Sequence, residues 1–188
     1  MLREKEFSVF LEALNSLDKK LKGMGKHIVI HAIGGFVMLY YGIKEHGFTI
    51  DIDTMTKAYD DSIINAIAEV SKEFDLEKDW LNNDCANLEG FMDELFPKIK
   101  WEKSSYEFEN IELFIADPIG MIRVKAKAVH DGGLVPRKTD KKDLMLMLKK
   151  ININSIYELD GDLELDFIKK EYSRTYKFLT DMKEWSKA

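Results

Sequence analysis

Apolar residues recur every three or four positions from residue 3 to 23. Phe7, Phe10, Leu11, Leu14, Leu17 and Leu21 fall on one face, which predicts an amphipathic helix. The period then changes. "HIVIHAIGG" (27–35) is an almost continuous apolar run ending in a glycine pair, which predicts a buried strand. A helix over "FVMLYYGI" (36–43) follows, stopped by Gly42 or Gly47. "FTIDIDTMT" (48–56) alternates and is rich in β-branched residues, so it predicts a second strand. "DDSIINAIAEVSKE" (60–73) returns to the helical period, with Asp60 or Asp61 at the N-cap.

The pattern blurs over "DWLNNDCANLEGFMDELFP" (79–97), which predicts short helical turns. "IKWEKSSYEF" and "IELFIAD" predict an antiparallel pair or two successive strands. Pro118 opens the next helix, closed by Gly132 and Gly133, and "KTDKKDLMLMLKKI" gives another. Residues 162–186 predict a last helix. The order α-β-α-β-α-β-β-α-α-α reads as an α+β protein with a mixed sheet and a helical C-terminal part, not a repeated βαβ winding.

With 188 residues, 45% hydrophobic and 33% charged, the chain suits one compact domain with a real core. A net charge of −6 argues against a dedicated nucleic-acid binder, whose affinity for phosphate backbones comes from Lys and Arg. The single cysteine, Cys85, excludes an intramolecular disulfide and points to a reducing compartment. The N-terminus carries no signal-peptide core, and the apolar run from Ile28 to Tyr41 is too short to span a bilayer. A cytoplasmic protein without a membrane partner is expected.

Candidate chemistry gathers in two places. In "GGFVMLYYGIKEHGFTIDID" (34–53), Gly34 and Gly35 stand at a strand-to-helix turn where backbone can approach a ligand. Asp51 and Asp53, at strand spacing, point to one side and offer hard oxygen ligands suited to Mg²⁺. The alternative is a glycine turn followed by an edge strand. The second place is "RVKAKAVHDGGLVPRKTDKKDL" (123–144). There Lys125 could meet a phosphate, and Asp140 and Asp143, one helical turn apart, could orient Lys125 or Arg137. Its alternative is a helix start with ordinary acidic charge. The four histidines show no zinc-ligand spacing, and His31, mid-strand, reads as an interior residue. "LMLMLKK" (144–150) reads as core filling.

"IGG" (33–35) followed by "TIDID" (49–53) resembles the signature of the DNA polymerase β-like nucleotidyltransferase superfamily. That signature is Gly-Gly or Gly-Ser after an apolar residue, a short helix, then Asp-x-Asp or Asp-x-Glu. More closely, the chain resembles a small bacterial and archaeal nucleotidyltransferase-like family of unknown function. Its members share "DWLN" (here Asp79 to Asn82) and a "KxxA" helix (Lys125 to Ala128). They also share an arginine with a "DxxD" segment, here Arg137 with Asp140 and Asp143. That family is similar to the toxin component of abortive-infection toxin–antitoxin pairs. The likeness covers roughly residues 5–155.

The resemblance implies a polymerase β-like fold: a small mixed sheet with helices packed on one side. Residues 1–155 would form the nucleotidyltransferase-like domain, and 156–188 a helical extension packed on it. It implies Mg²⁺-dependent transfer of a nucleotidyl group from a nucleoside triphosphate to a hydroxyl on RNA, protein or a small molecule. Asp51 and Asp53 would hold Mg²⁺ ions that clamp the α-phosphate and the leaving pyrophosphate in a two-metal displacement, Gly34 and Gly35 the outer phosphates, and Lys125 the charge developing on the triphosphate. Three departures stand out. Gly47 occupies a position often held by arginine, and fifteen residues separate Gly35 from Asp51, slightly more than usual. No third metal-binding carboxylate is unambiguous; Glu112 is the first candidate and Glu102 the second. The rival expectation is an inert nucleotide-binding or interaction module, such as one partner of a cognate toxin–antitoxin pair.

Overall fold

A computed structural model gives the fold and describes residues 5–43, 48–56, 58–132, 138–182 and 185. The first helical period becomes α1 (Phe7–Met24), which buries Phe10, Ala13, Leu14, Leu17 and Leu21 along one stripe. Gly25, at φ 63°, ends it in the left-handed conformation. Residues 5–6, expected to be helical, instead form strand β1 (Lys5–Glu6), paired with β3 (Phe48–Thr49) in a two-stranded antiparallel ribbon.

A five-stranded mixed sheet carries the remaining strands, in the order β5-β4-β2-β7-β6. They are β2 (Ile28–Ile33), β4 (Ile52–Thr54), β5 (Leu81–Asn82), β6 (Trp101–Lys103) and β7 (Ile111–Ala116). β2 runs antiparallel to β4 and parallel to β7, β4 parallel to β5, and β6 antiparallel to β7. The expected strand over 48–56 is thus divided between two sheets, and Asp51 lies between its halves.

Paired residues share a face of the sheet. Ile28, Ile30, Ala32, Ile52, Leu81, Ile111, Leu113 and Ile115 make one face, and all are buried. The other face carries Val29, His31, Ile33, Asp53, Asn82, Phe114, Ala116 and Trp101 and is only partly covered. α2 (Gly34–Tyr40) leaves directly from the end of β2. α3 (Asp61–Glu73) starts at Asp60, whose carboxylate accepts from the amides of Ser62 and Ile63. Trp80, fully buried, donates its indole N–H to the Ile67 carbonyl at 3.0 Å and stands 6.3 Å from the Phe10 ring. This pins the segment before β5 to the interior. β5 itself lies inside the stretch expected to form only helical turns; such turns do follow, at Asp84–Asn87, Phe91–Leu95 and Phe96–Lys98.

Two compact units divide the chain, Met1–Ala116 and Asp117–Ala188. In the second, α4 (Pro118–Asp131) is capped by Asp117, which accepts from the Gly120 amide at 2.8 Å. α5 (Lys138–Lys150) buries Leu144, Met145, Met147 and Leu148, so the methionine-rich stretch fills core. α6 (Ile156–Gly161), α7 (Asp166–Glu171) and α8 (Ser173–Asp181) complete it. A short turn at Leu163–Leu165 and a break at Tyr172 replace the single expected helix over 162–186. Among the described residues, no helix is long and apolar enough to cross a membrane.

Candidate functional site

Gly34 is the hinge of the first candidate. It is buried, and its φ of 72° lies where a side chain is strained. The space a Cβ would take is filled: built there, it would stand 2.5 Å from Asp53 Oδ2, 3.2 Å from Asp53 Cβ and 3.3 Å from Asp53 Cγ. The first glycine therefore admits a carboxylate of the protein's own, not a ligand. Gly35, the second glycine of the turn, is half-buried. The helix that follows has only seven residues, so its dipole adds little to anion binding.

Asp53 reaches Gly34 because β4 returns antiparallel beside β2, with Asp53 opposite Ile33. Asp51 precedes the strand, and its Oδ2 accepts the Asn82 side-chain N–H at 3.2 Å. Asn82 is the register partner of Asp53 on β5. Both half-buried aspartates thus share one neighbour on the next strand, beside the glycine turn.

Neither carboxylate expected as the third ligand, Glu112 or Glu102, reaches the aspartate pair. The β2–β7 ladder places Ala32 beside Ile115, so its next step brings Ala116 beside Ile33. The row through Asp53 therefore reads Asn82, Asp53, Ile33, Ala116, Trp101. Glu112 does share the face of Asp53, but it stands level with Val29. That is four residues, about 13 Å, further along the strand. It is exposed, and its carboxylate lies 3.8 Å from His27 Nε2. Glu102 pairs with Ile115, which puts it on the opposite face, and bonds Lys100 at 2.8 Å. Alternation along a strand fixes the face; only the register fixes the row, and the register moves Glu112 out of reach. Among the described residues, no group of three or more His, Cys, Asp or Glu side chains is placed to hold a metal ion.

His31, on the same face, packs its ring among aromatics. It stacks on Phe114 at 5.2 Å and meets Trp101 at 4.8 Å and Phe96 at 5.0 Å edge-on. Burial holds its pKa below the usual histidine value, so the ring is neutral at pH 7.

The second candidate belongs to the second unit. Lys125 on α4 bonds Asp140 at 3.0 Å and Asp143 at 2.9 Å, both from the first turns of α5. The cluster is not an exposed ion pair: Lys125 is 8% and Asp143 9% accessible. Burial lowers the lysine's proton affinity, but the two carboxylates more than reverse this and hold its pKa above the usual range. These three side chains sum to one negative charge. A buried negative cluster repels a triphosphate, so the expectation that Lys125 is a phosphate ligand does not fit this arrangement, in which the ammonium is already neutralised. Asp140 and Asp143 do what the spacing suggested and orient the lysine. Arg137, Gly47 and His46 lie outside the described residues.

Asn82 was legible only as part of "DWLN"; nothing in its local sequence says that it meets Asp51. No family model matches the chain, and neither does a curated protein or a solved structure.

Proposed function

We propose that this chain is a cytoplasmic nucleotidyltransferase of the DNA polymerase β-like type. It would bind a nucleoside triphosphate with Mg²⁺ at Asp51 and Asp53 and transfer its nucleotidyl group to a hydroxyl of RNA, protein or a small molecule. The observation that carries the reading is Asp53 seated in the space left by Gly34, with Asp51 next to it. Glycine turn and aspartate pair, 17 residues apart at Gly34 and Asp51, form one site.

The donor set fits one Mg²⁺. That ion takes one or two carboxylates and completes its octahedron with water and substrate phosphates. When bound, the cation would neutralise phosphate charge in an in-line displacement. The chain's own part is then to fix two carboxylates, Asp53 on β4 and Asp51 just before it, beside the glycine turn.

A second reading has an observation in its favour. Asn82 and Ile33 flank Asp53 with neutral side chains, whereas two-metal transfer needs more negative charge. That favours a nucleotide-binding module without turnover, such as one partner of a toxin–antitoxin pair.

Calorimetric titration with each of the four ribonucleoside triphosphates, with and without Mg²⁺, tests the proposal. Binding should require the metal and weaken at least about tenfold in Asp51→Asn, since losing even an outer partner of a metal ligand costs about that much. Wild-type protein that binds no nucleotide in a Mg²⁺-dependent way would sink both readings. Transfer of an α-phosphate label to cell RNA or protein separates the two.

A further inference from the structure

We infer that Asn82 is a positioning residue for Asp51 and that it restricts the site to a single cation arriving with its nucleotide. This rests on Mg²⁺–nucleotide binding at Asp51 and Asp53, which both readings above share, and specifies how that site is set by its own charge.

Asn82 ends β5, the edge strand of the five-stranded sheet, and is the register partner of Asp53. Its amide is oriented without ambiguity. The backbone N–H of Asp84 donates to Oδ1 at 3.1 Å, so that end must be the oxygen. The other end is then the NH₂ group, and it donates to Asp51 Oδ2 at 3.2 Å. The strand that carries it is anchored. Leu81 and Trp80 are buried, and the Ile52 amide donates to the Trp80 carbonyl at 2.6 Å. A rigid post thus presents one donor to one oxygen of Asp51.

Two consequences follow from chemistry. First, the amide fixes the rotation of the Asp51 carboxylate, as outer partners of metal ligands do. Second, Asn82 occupies the position beside Asp53 where a carboxylate would add a third negative charge. With a neutral amide there, the pair attracts a bare divalent ion weakly, because affinity at oxygen sites follows the count of charged ligands. The phosphates of the nucleotide supply the missing charge, so metal and nucleotide bind together and a second metal does not.

The test uses the full chain and Mn²⁺ as a paramagnetic probe. Free Mn²⁺ is measured by electron paramagnetic resonance, without nucleotide and with ATP, for wild type, Asn82→Asp, Asn82→Ala and the double variant Asn82→Asp/Asp51→Asn. Without nucleotide, Asn82→Asp should bind Mn²⁺ about tenfold or more tighter than wild type, and the double variant should lose that gain. With ATP, Asn82→Ala should weaken Mn²⁺ binding about tenfold. A merely structural asparagine would give the same loss in both single variants and no gain in either.

A gain below twofold in Asn82→Asp, or one that survives in the double variant, overturns the inference. Should Asn82→Asp fail to fold, judged by urea unfolding, Asn82→Ala decides: unchanged Mn²⁺–ATP affinity refutes the positioning role. Failure of wild type to bind Mn²⁺–ATP at all would instead remove the proposed function, so the two failures are distinct.

Discussion

Replacing Gly34 by alanine adds three heavy-atom conflicts and one backbone conflict, and their sizes can be separated. At φ 72°, an alanine sits in the left-handed region, which costs about 1–2 kcal/mol. The new Cβ would meet Asp53 Oδ2 at 2.5 Å, and the tip of a carboxylate can rotate away. It would also meet Asp53 Cβ at 3.2 Å, and that atom is fixed to β4, so α2 or β4 must move. Overpacking of this kind costs about 1–3 kcal/mol. The sum is a loss of about 2–5 kcal/mol, a large share of a small domain's stability.

Gly25 provides the control. Its φ is 63°, but nothing stands within 4 Å of its Cβ position. Gly25→Ala should therefore show only the backbone cost. The assay is urea unfolding followed by far-UV circular dichroism, with comparable slopes required before midpoints are compared. Gly34→Ala should be worse than Gly25→Ala by about 1–3 kcal/mol. That excess should vanish in an Asp53→Gly background, where the contacts to Oδ2, Cγ and Cβ are all gone; such a double-mutant cycle isolates the coupling. Equal losses at the two glycines, or a coupling below about 0.5 kcal/mol, would refute the claim that Gly34 exists to seat Asp53.

Lys125→Ala should destabilise the chain by about 3–5 kcal/mol, because it strands Asp140 and Asp143 without their cation; a urea midpoint unchanged from wild type would contradict this. Lys125's raised pKa also gives a sign. Its contribution is complete below the ordinary lysine value of about 10.4 and is lost as pH rises through the higher folded value, which the pH dependence of the urea midpoint above pH 10 checks. His31 should titrate below the ordinary histidine value of about 6.5 in proton NMR. Stability should then fall as pH drops from that value towards its folded pKa, and His31→Leu should remove that slope; a midpoint at or above the ordinary value would overturn the aromatic packing argument.

How much of this was written in the sequence depends on whether the determining interaction is local. The spacing of Phe10, Leu14, Leu17 and Leu21 settles α1; Asp60 with its two amide partners settles the start of α3; Asp117 and Pro118 settle that of α4. Each is decided within a turn of helix, so reading along the chain suffices. The order glycine pair, helix, Asp-x-Asp is equally visible, and the antiparallel return of β4 brings Gly34 against Asp53. What the chain cannot show by itself is register. Glu112 alternates onto the correct face, yet its row is that of Val29, and Ala116 takes the place expected for a carboxylate. Asn82 lies 31 residues from Asp51, and β5 is two residues long, too short for any periodicity to announce it. Lys125 was legible as a cation beside two aspartates, but its burial depends on the packing of α4 on α5. The break of the last predicted helix at Tyr172 is likewise tertiary. That ring packs against Phe167 and His130 at 6.0 and 5.8 Å, contacts that a helical period in residues 162–186 does not encode.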